Sequence, residues 1–373
     1  MEAKIQFKDN WEETRQRYDA WLQQQKTDRP LMNLQGRLEE PRGLIAPMEE
    51  PEITDRNDRY LNVENRFPRM MNRYDRTLFL AESYPSTSAG FGSPTMAVYL
   101  GSEPIFAENT VWHTHWINSY ENLELVYDEN QKYWKMQVDM LKRLKELTVD
   151  TDIILSFPDI VENLDILAAM RGTTPLLMDL YDFPDEVKKA LKQITDLYTV
   201  YYNHMYDIIR RPDGSSSYGA YSVYGSGKSA KLQSDFAAMI SPEHFEEFVM
   251  PCLRQQCEDL DSIVFHLDGV EMIPHLDMLL SLDKLGAIQW TPPPGTAEIK
   301  AANERWFPLY KRIRDGGKGL WFSLVEYGPD DCVAAADKII KEIGPDCLYL
   351  AMPQMEAKQA EAVLIHAEKN WKS

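Results

Sequence analysis

A histidine and a carboxylate two positions apart stand at the end of an apolar run, just before a glycine. The stretch reads Ser-Ile-Val-Phe-His-Leu-Asp-Gly over residues 262–269. Side chains alternate between the two faces of a β-strand, so His266 and Asp268 are predicted to share one face. A neutral imidazole beside a carboxylate at a strand end can bind a metal, move a proton or hold a substrate. A structural histidine held by an aspartate gives the same pattern, and both interpretations stay open.

Short apolar runs followed by segments with helical spacing recur along the chain. Continuous apolar runs are typical of parallel strands buried on both faces. The alternation predicts a (β/α)8 TIM barrel, in which the carboxyl ends of the strands build the active site. A doubly wound sheet also alternates strand and helix, but no GxGxxG loop follows the first run. The eight strand candidates are 30–34, 152–157, 174–178, 217–222, 263–265, 285–288, 319–325 and 347–350.

Polar residues at or near the ends of these runs are the candidate site residues. A planar guanidinium can pair with a substrate carboxylate, and an amide beside an indole suits a small ligand. Each has a structural alternative, such as a helix cap, a core indole, or a surface pair with Glu39 or Glu40. His266 and Asp268 are also the candidate metal ligands. The catalytic candidates are His266, Asp268 and Asp159, and the substrate-binding candidates are Arg37, Tyr224, Asp235, Gln289, Trp290 and Glu326.

The regions outside the repeated pattern are predicted to extend one barrel domain that spans 1–373. Residues 1–27 show helical spacing and are predicted to form an N-terminal helix. Residues 38–127 are rich in proline, asparagine and aromatic residues and lack regular periodicity, which predicts a long insertion or lid. This segment contains His113 and His115, whose spacing suits a metal but is more typical of packing in a tryptophan-rich loop.

Composition excludes several classes of partner. The chain of 373 residues carries a net charge of −19, which repels nucleic acid and anionic lipid. No run approaches the length of a membrane helix, and the N-terminus has no apolar signal-peptide core. Four cysteines without a CxxC pair predict a cytoplasmic, reducing environment. A homodimer is expected only because dimers are common among soluble proteins.

Several motifs together resemble the uroporphyrinogen decarboxylase superfamily, which includes corrinoid-linked methyltransferases. Arg29-Pro30 followed by Gln-Gly-Arg at 35–37 resembles the N-terminal arginine motif of the decarboxylases. Ile-Leu-Ser-Phe-Pro-Asp-Ile at 154–160 resembles the strand that presents their catalytic aspartate. Gln-Ser-Asp-Phe at 233–236 and the segment 240–248 resemble a region shared by both branches. His-Leu-Asp-Gly at 266–269 resembles the His-x-Cys-Gly motif of the methyltransferases, whose histidine and cysteine bind a thiol-activating zinc.

The departures from these motifs set the functional expectations. Residues 347–356 contain no histidine, whereas the decarboxylases carry a Gly-His-Gly-type motif there. The chain offers few cations for a porphyrin with many carboxylates. Asp268 stands in place of the ligand cysteine, and Met352 lies near the place of the third zinc ligand, so the usual zinc-thiolate set is incomplete and no tightly bound zinc is expected.

The resemblance therefore favours methyl transfer on a small molecule, linked to a thiol or to a corrinoid carried by a partner protein. Decarboxylation of a small acid is the first alternative. A carbohydrate-active barrel or a non-catalytic sensor is the second, since fold alone does not fix the chemistry.

Overall fold

The computed structural model describes residues 4–53, 55–108, 110–293 and 300–372. The strands are β1 Leu31–Arg37, β2 Thr77–Ala81, β3 Ser86–Thr87, β4 Pro104–Phe106, β5 Val111–His113, β6 Ile154–Phe157, β7 Ser216–Tyr218, β8 Val223–Gly225, β9 Ser229–Leu232, β10 Ser262–Asp268, β11 Leu285–Thr291, β12 Gly319–Ser323, β13 Leu348–Ala351 and β14 Met355–Glu356.

Fourteen α-helices surround these strands in the described residues. They are α1 Trp11–Leu22, α2 Arg56–Leu61, α3 Val63–Asp75, α4 Met96–Tyr99, α5 Lys132–Leu147, α6 Asn163–Arg171, α7 Thr173–Asp182, α8 Pro184–Ile209, α9 Pro242–His244, α10 Met250–Asp259, α11 Leu276–Leu280, α12 Phe307–Asp315, α13 Gly328–Ile343 and α14 Ala357–Asn370. A single π-helical turn, Phe245–Val249, joins α9 to α10.

The strands form the predicted α/β barrel of the TIM type. Six of them, β9, β10, β11, β12, β13 and β1, are parallel neighbours in that order. On the other side, β3, β6 and β7 are parallel neighbours. Ser216 of β7 and Ser229 of β9 exchange hydrogen bonds through their hydroxyl groups and join the two sheets. β2 pairs antiparallel with β1, which inserts one reversed strand into the wall.

Helix α1 lies against the amino-terminal ends of the barrel strands. The buried Trp21 indole donates a hydrogen bond of 3.1 Å to the carbonyl of Cys347, just before β13. The same indole lies against Gly319 at the start of β12, where a Cβ atom would come within 2.9 Å of it. The N-terminal helix spans Trp11–Leu22 and is shorter than the predicted 1–27. It closes the end of the barrel opposite the strand ends that carry His266 and Asp268.

One predicted strand is wrong, and the sequence reading missed one strand. Residues 174–178 lie in helix α7, where Leu176 and Leu180 are buried one helical turn apart while Met178 is exposed. A five-residue apolar run fits both kinds of element, and periodicity cannot separate them. The missing strand is β9, whose sequence Ser-Ala-Lys-Leu looks polar although all four residues are buried.

Residues 38–127 are more regular than the sequence predicts. They contain helices α2, α3 and α4, strand β2, and the antiparallel β4–β5 hairpin. Short amphipathic helices escape a search for long periodic segments. That this segment acts as a lid, and that the chain is one domain, stay predictions. Among the described residues, no helix combines the length and the apolar character needed to cross a bilayer.

Candidate active site

His266 and Gln289 face each other on neighbouring parallel strands at the carboxyl end of the barrel. The register pairs His266 with Gln289 and Asp268 with Thr291. Gln289 Nε2 donates to Thr291 Oγ1 at 2.9 Å, which turns the amide oxygen toward His266 Nδ1, and these two atoms are in contact. His266 Nδ1 therefore carries the proton, and Nε2 presents its lone pair to the site.

Two carboxylates lie beside His266 Nε2. Asp268 Oδ2 is 3.9 Å and Asp235 Oδ1 is 4.0 Å from this nitrogen. The prediction that His266 and Asp268 share a face is confirmed. Burial, and then the positive charge of Lys231, lower the pKa of His266, so its imidazole is neutral near pH 7.

A buried lysine neutralises the predicted catalytic aspartate. Lys231 Nζ lies 2.7 Å from Asp159 Oδ1, and the Tyr218 hydroxyl donates to the same oxygen at 3.1 Å. Lys231 is almost completely buried, and a buried ammonium group needs a partner of opposite charge. The Asp159 carboxylate is that partner. Lys231 also contacts Gln233, whose Nε2 donates to Asp235 at 3.0 Å, so two side chains link Asp159 to the acidic groups beside His266.

Further carboxylates surround Asp235. Asp165 accepts the backbone N–H groups of Asp235 and Phe236 at 2.9 and 2.8 Å, and Gln233 Nε2 donates to both Asp165 and Asp235 at 3.0 Å. Desolvation, and then the charge of Asp165, raise the pKa of Asp235 to about 7, although 51% of its side chain is exposed. Burial also raises the pKa of Glu162 well above the usual range. The site therefore contains more acidic than basic side chains, and the charged carboxylates repel one another.

The Tyr221 ring packs against the His266 imidazole, with ring centroids 5.1 Å apart. Its hydroxyl lies 3.1 Å from His266 Nδ1 and 3.3 Å from Nε2. Its backbone is left-handed, with φ of 61°, and the Trp321 indole donates to the Tyr221 carbonyl at 3.1 Å. A non-glycine residue in this conformation is uncommon and needs its surroundings to hold it there.

The arrangement fits a divalent cation with one nitrogen and two oxygen ligands. One ligand atom each from Asp235, His266 and Asp268 lies within 4.8 Å of the others. The contact of Gln289 with His266 Nδ1 is of the kind that orients a metal-binding histidine. A thiolate-rich zinc site does not fit, because all four cysteines are buried elsewhere, with Cys347 at the α1 end of the barrel.

A cavity of about 460 Å³ opens next to Asp235. This volume lies within the usual range for small-molecule sites, roughly 300–1,000 Å³. Its walls come from the β4–β5 hairpin, helix α6 and the turn after Asp235. They include Gln233, Asp235, Asp165, Phe236, Met239, Val161, Ala168, Ala169, Trp112, His113 and His115. Burial lowers the pKa of His113 to about 4, so this histidine is uncharged at neutral pH.

The structure does not bring every predicted residue into this site. Trp290 faces the outer helices and packs against Trp306 at 5.1 Å, because its neighbour Gln289 faces inward. Tyr224 packs against Trp11 and Tyr18 near α1. These placements favour a core role for both residues over substrate binding.

Two further candidates lie on the surface. Arg37 is exposed and pairs with Glu356 at 3.7 Å, rather than with Glu39 or Glu40. Glu326 is exposed in the turn after β12, and its backbone carbonyl accepts a hydrogen bond from Lys300. Among the described residues, neither side chain forms a hydrogen bond or an ion pair with the His266 cluster.

Sequence reasoning missed Lys231, Gln233 and Tyr221. Lys231, Gln233 and Asp235 follow the same alternation as His266 and Asp268, and that repeat is the signal that could have found them. Tyr221 carries no such signal, because its place depends on a left-handed turn.

Comparison with solved structures finds a methyltransferase from Methanosarcina mazei with the same architecture. It aligns over 95% of this chain and 98% of its own, with 15% identity and a TM-score of 0.58. The two chains share one barrel fold. At this level of identity the likeness concerns the fold.

A B12-independent methionine synthase from Shewanella, solved with selenomethionine, aligns over 72% of this chain and 74% of its own. Its identity is 10% and its TM-score is 0.42. No protein-family model and no curated protein matches the sequence.

Proposed function

We propose that this protein is an enzyme that transfers a methyl group to or from a small molecule bound over His266, Asp268 and Asp235. The observation that carries the proposal is the position of His266 and Asp268. They fill the places of the zinc-binding pair in the His-x-Cys-Gly motif, at the mouth of a barrel whose fold a methyltransferase shares.

The geometry suits activation of a methyl acceptor. His266 is neutral and holds Nδ1 against Gln289, so the lone pair lies on Nε2, 3.3 Å from the Tyr221 hydroxyl. Nε2 takes the proton of an acceptor thiol, hydroxyl or amine that replaces this hydroxyl. Asp268 and Asp235 lie where they stabilise the imidazolium that results. A divalent cation held by the same three side chains would instead lower the pKa of a bound acceptor. We expect no tightly bound zinc, because no cysteine completes the set.

The charge of the cavity argues against the decarboxylase alternative. Asp235 and Asp165 line the cavity, and the buried Lys231 is already paired with Asp159. A substrate with several carboxylates would be repelled there. Neutral or cationic substrates suit this cavity better.

The test is a methyl-transfer assay with methylcobalamin as donor and a small thiol as acceptor, because a corrinoid or a thiol is what the motif resemblance implies. His266→Ala and Asp268→Ala should each lower turnover at least about a hundredfold while far-UV circular dichroism stays native, since general-base catalysis contributes roughly that much. Arg254→Gln, at a surface pair with Glu246, is the control.

Metal analysis separates the two modes of activation. If the site works without metal, activity survives a strong chelator and depends on a group that titrates below its ordinary histidine range. Unchanged turnover in both alanine variants on an active substrate would remove the pair from the mechanism. Stoichiometric zinc with a sulfur ligand would overturn the metal-free proposal.

A further inference from the structure

A second cavity, of about 420 Å³, is lined by four arginines. It lies between helix α3 and strand β3, and it shares no lining residue with the cavity beside Asp235. Arg66, Arg69 and Arg73 project from one face of α3, since residues three and seven positions apart lie above one another on a helix. Arg59 from α2 completes the set.

Three of the four guanidinium groups have no carboxylate within 4 Å among the described residues. Arg66 donates to the backbone carbonyls of Tyr60 and Ser88 at 3.2 and 2.7 Å, and Arg59 donates to the carbonyl of Glu108 at 3.0 Å. Arg73 lies over the Tyr74 ring at 5.1 Å. Arg69 pairs with the carboxylate of Glu50 at 3.1 Å.

This concentration of positive charge is unusual for so acidic a chain. The sequence has 59 acidic and 40 basic residues, yet four arginines line this one cavity. No acidic residue lines this cavity among the described residues. Arg66 is also half-buried, and desolvation lowers its pKa without any anion to compensate. Like charges along one helix face repel each other, and an anion bound between them would relieve that repulsion.

The rest of the lining defines the kind of anion. Ser86, Thr87 and Ser88 make the wall that faces the helix polar. Planar guanidinium groups match phosphate and carboxylate oxygens in pairs. Apolar side chains cover the remaining surface, and they are Ile53, Val63, Phe67, Met70 and Leu144.

We propose that this arginine cavity binds a small amphipathic anion, a phosphate or carboxylate attached to an apolar body. The guanidinium groups of Arg59, Arg66 and Arg73 hold the anionic head, and the apolar side chains cover the body. The site is separate from the His266 cluster, so the proposal does not depend on the reaction catalysed there.

Calorimetric titration of the full chain at low salt tests the site. The probes are naphthyl phosphate, naphthoate and inorganic phosphate, which separate the head group from the apolar body. We expect saturable binding of naphthyl phosphate or naphthoate, and at least about tenfold weaker binding of inorganic phosphate, which lacks the apolar body. The aromatic probe that binds more tightly shows whether the site prefers a phosphate or a carboxylate head group.

Substitutions locate the binding. Arg66→Gln should weaken it at least about tenfold, since a charge-assisted hydrogen bond is lost. Arg66 also donates hydrogen bonds to two backbone carbonyls, so Arg66→Gln could disturb the fold. Arg59 and Arg73 are exposed, and the double variant R59Q/R73Q therefore tests the site without this risk. R254Q should bind as the parent does. Absence of saturable binding of all three probes, or equal affinity in R59Q/R73Q and the parent, would overturn the proposal.

Discussion

At the scale of single residues, the site is organised by pairs whose members are far apart in sequence, on strands or just after a strand end. His266 depends on Gln289, and Lys231 depends on Asp159. Each pair compensates a polar group that would be costly to bury alone. The candidate catalytic residues therefore also stabilise the fold. The effect of each substitution on stability has to be measured along with its effect on activity.

The Lys231–Asp159 pair provides a direct test of this dependence. Asp159→Asn leaves the buried ammonium of Lys231 without its anion and should lower the free energy of unfolding by about 3 kcal/mol. The double variant D159N/K231M removes both charges and should recover most of that loss. Urea denaturation of the three proteins measures it. If the double variant is as unstable as D159N, the pair does not explain the burial of Lys231.

Asp235 should make stability depend on pH. Its pKa of about 7 lies above the ordinary aspartate value, so the protonated group favours folding. That contribution is complete below about pH 4 and is lost as the pH rises through 7. Asp235→Asn stays neutral, and at pH 8 it should be more stable than the parent by on the order of 1 kcal/mol, because the half-exposed side chain is partly screened.

Denaturation of the parent and D235N at acidic and alkaline pH checks this expectation. The two proteins should be equally stable near pH 4. A difference between them that is constant over the whole pH range would show that the substitution acts through packing rather than through ionisation.

At the scale of elements, α1 and the β4–β5 hairpin differ in whether their tryptophan side chains are buried or exposed. Helix α1 buries Tyr18 and Trp21 against the strand starts, and its Trp21 indole fills the space that Gly319 leaves open. The hairpin instead exposes Trp112 beside the cavity. One element therefore stabilises the barrel, and the other shapes the entrance to its site.

Two tryptophan substitutions compare these elements. Trp21→Ala should lower the free energy of unfolding by about 3–5 kcal/mol, since it empties a fully buried indole site and removes the hydrogen bond to Cys347. Trp112→Ala, at an indole 64% exposed, should change it by less than about 0.5 kcal/mol. Equal losses in the two variants, measured by chemical denaturation, would show that α1 is not part of the barrel core.

At the scale of the whole molecule, one hydrophobic core runs from Tyr18 to Trp371 and joins both sheets. A second, small cluster lies around Phe7, Tyr74 and Ile153, where the N-terminal segment meets α3. The barrel, α1 and much of the 38–127 segment, including Phe91 and Met96, contribute to the large core. This continuity is the physical argument for the single domain that the sequence predicts.

The continuity predicts one cooperative unfolding transition. Near-UV and far-UV circular dichroism should give coincident denaturation curves, because α1 and the barrel strands share one core. The W21A variant should shift the whole curve rather than part of it. Two separated transitions, or an early loss of signal from the 38–127 segment alone, would contradict the single-domain prediction.

The sequence alone determined the class of fold and the pair His266 and Asp268. Both follow from local periodicity, since alternation of side chains is a property of every strand. It also placed Gln289 and Asp159 at strand ends. It did not separate strand from helix at 174–178, nor did it detect β9, because runs of four or five residues carry too few repeats to define a period.

Only the tertiary structure decided which strand ends face one another. The parallel register sets His266 against Gln289 and turns Trp290 outward, and the return of the chain through β9 brings Lys231 to Asp159. Arg37 lies at a strand end and yet points to the surface. Pairings between residues far apart in sequence depend on register and on closure of the barrel, and no local pattern encodes either one.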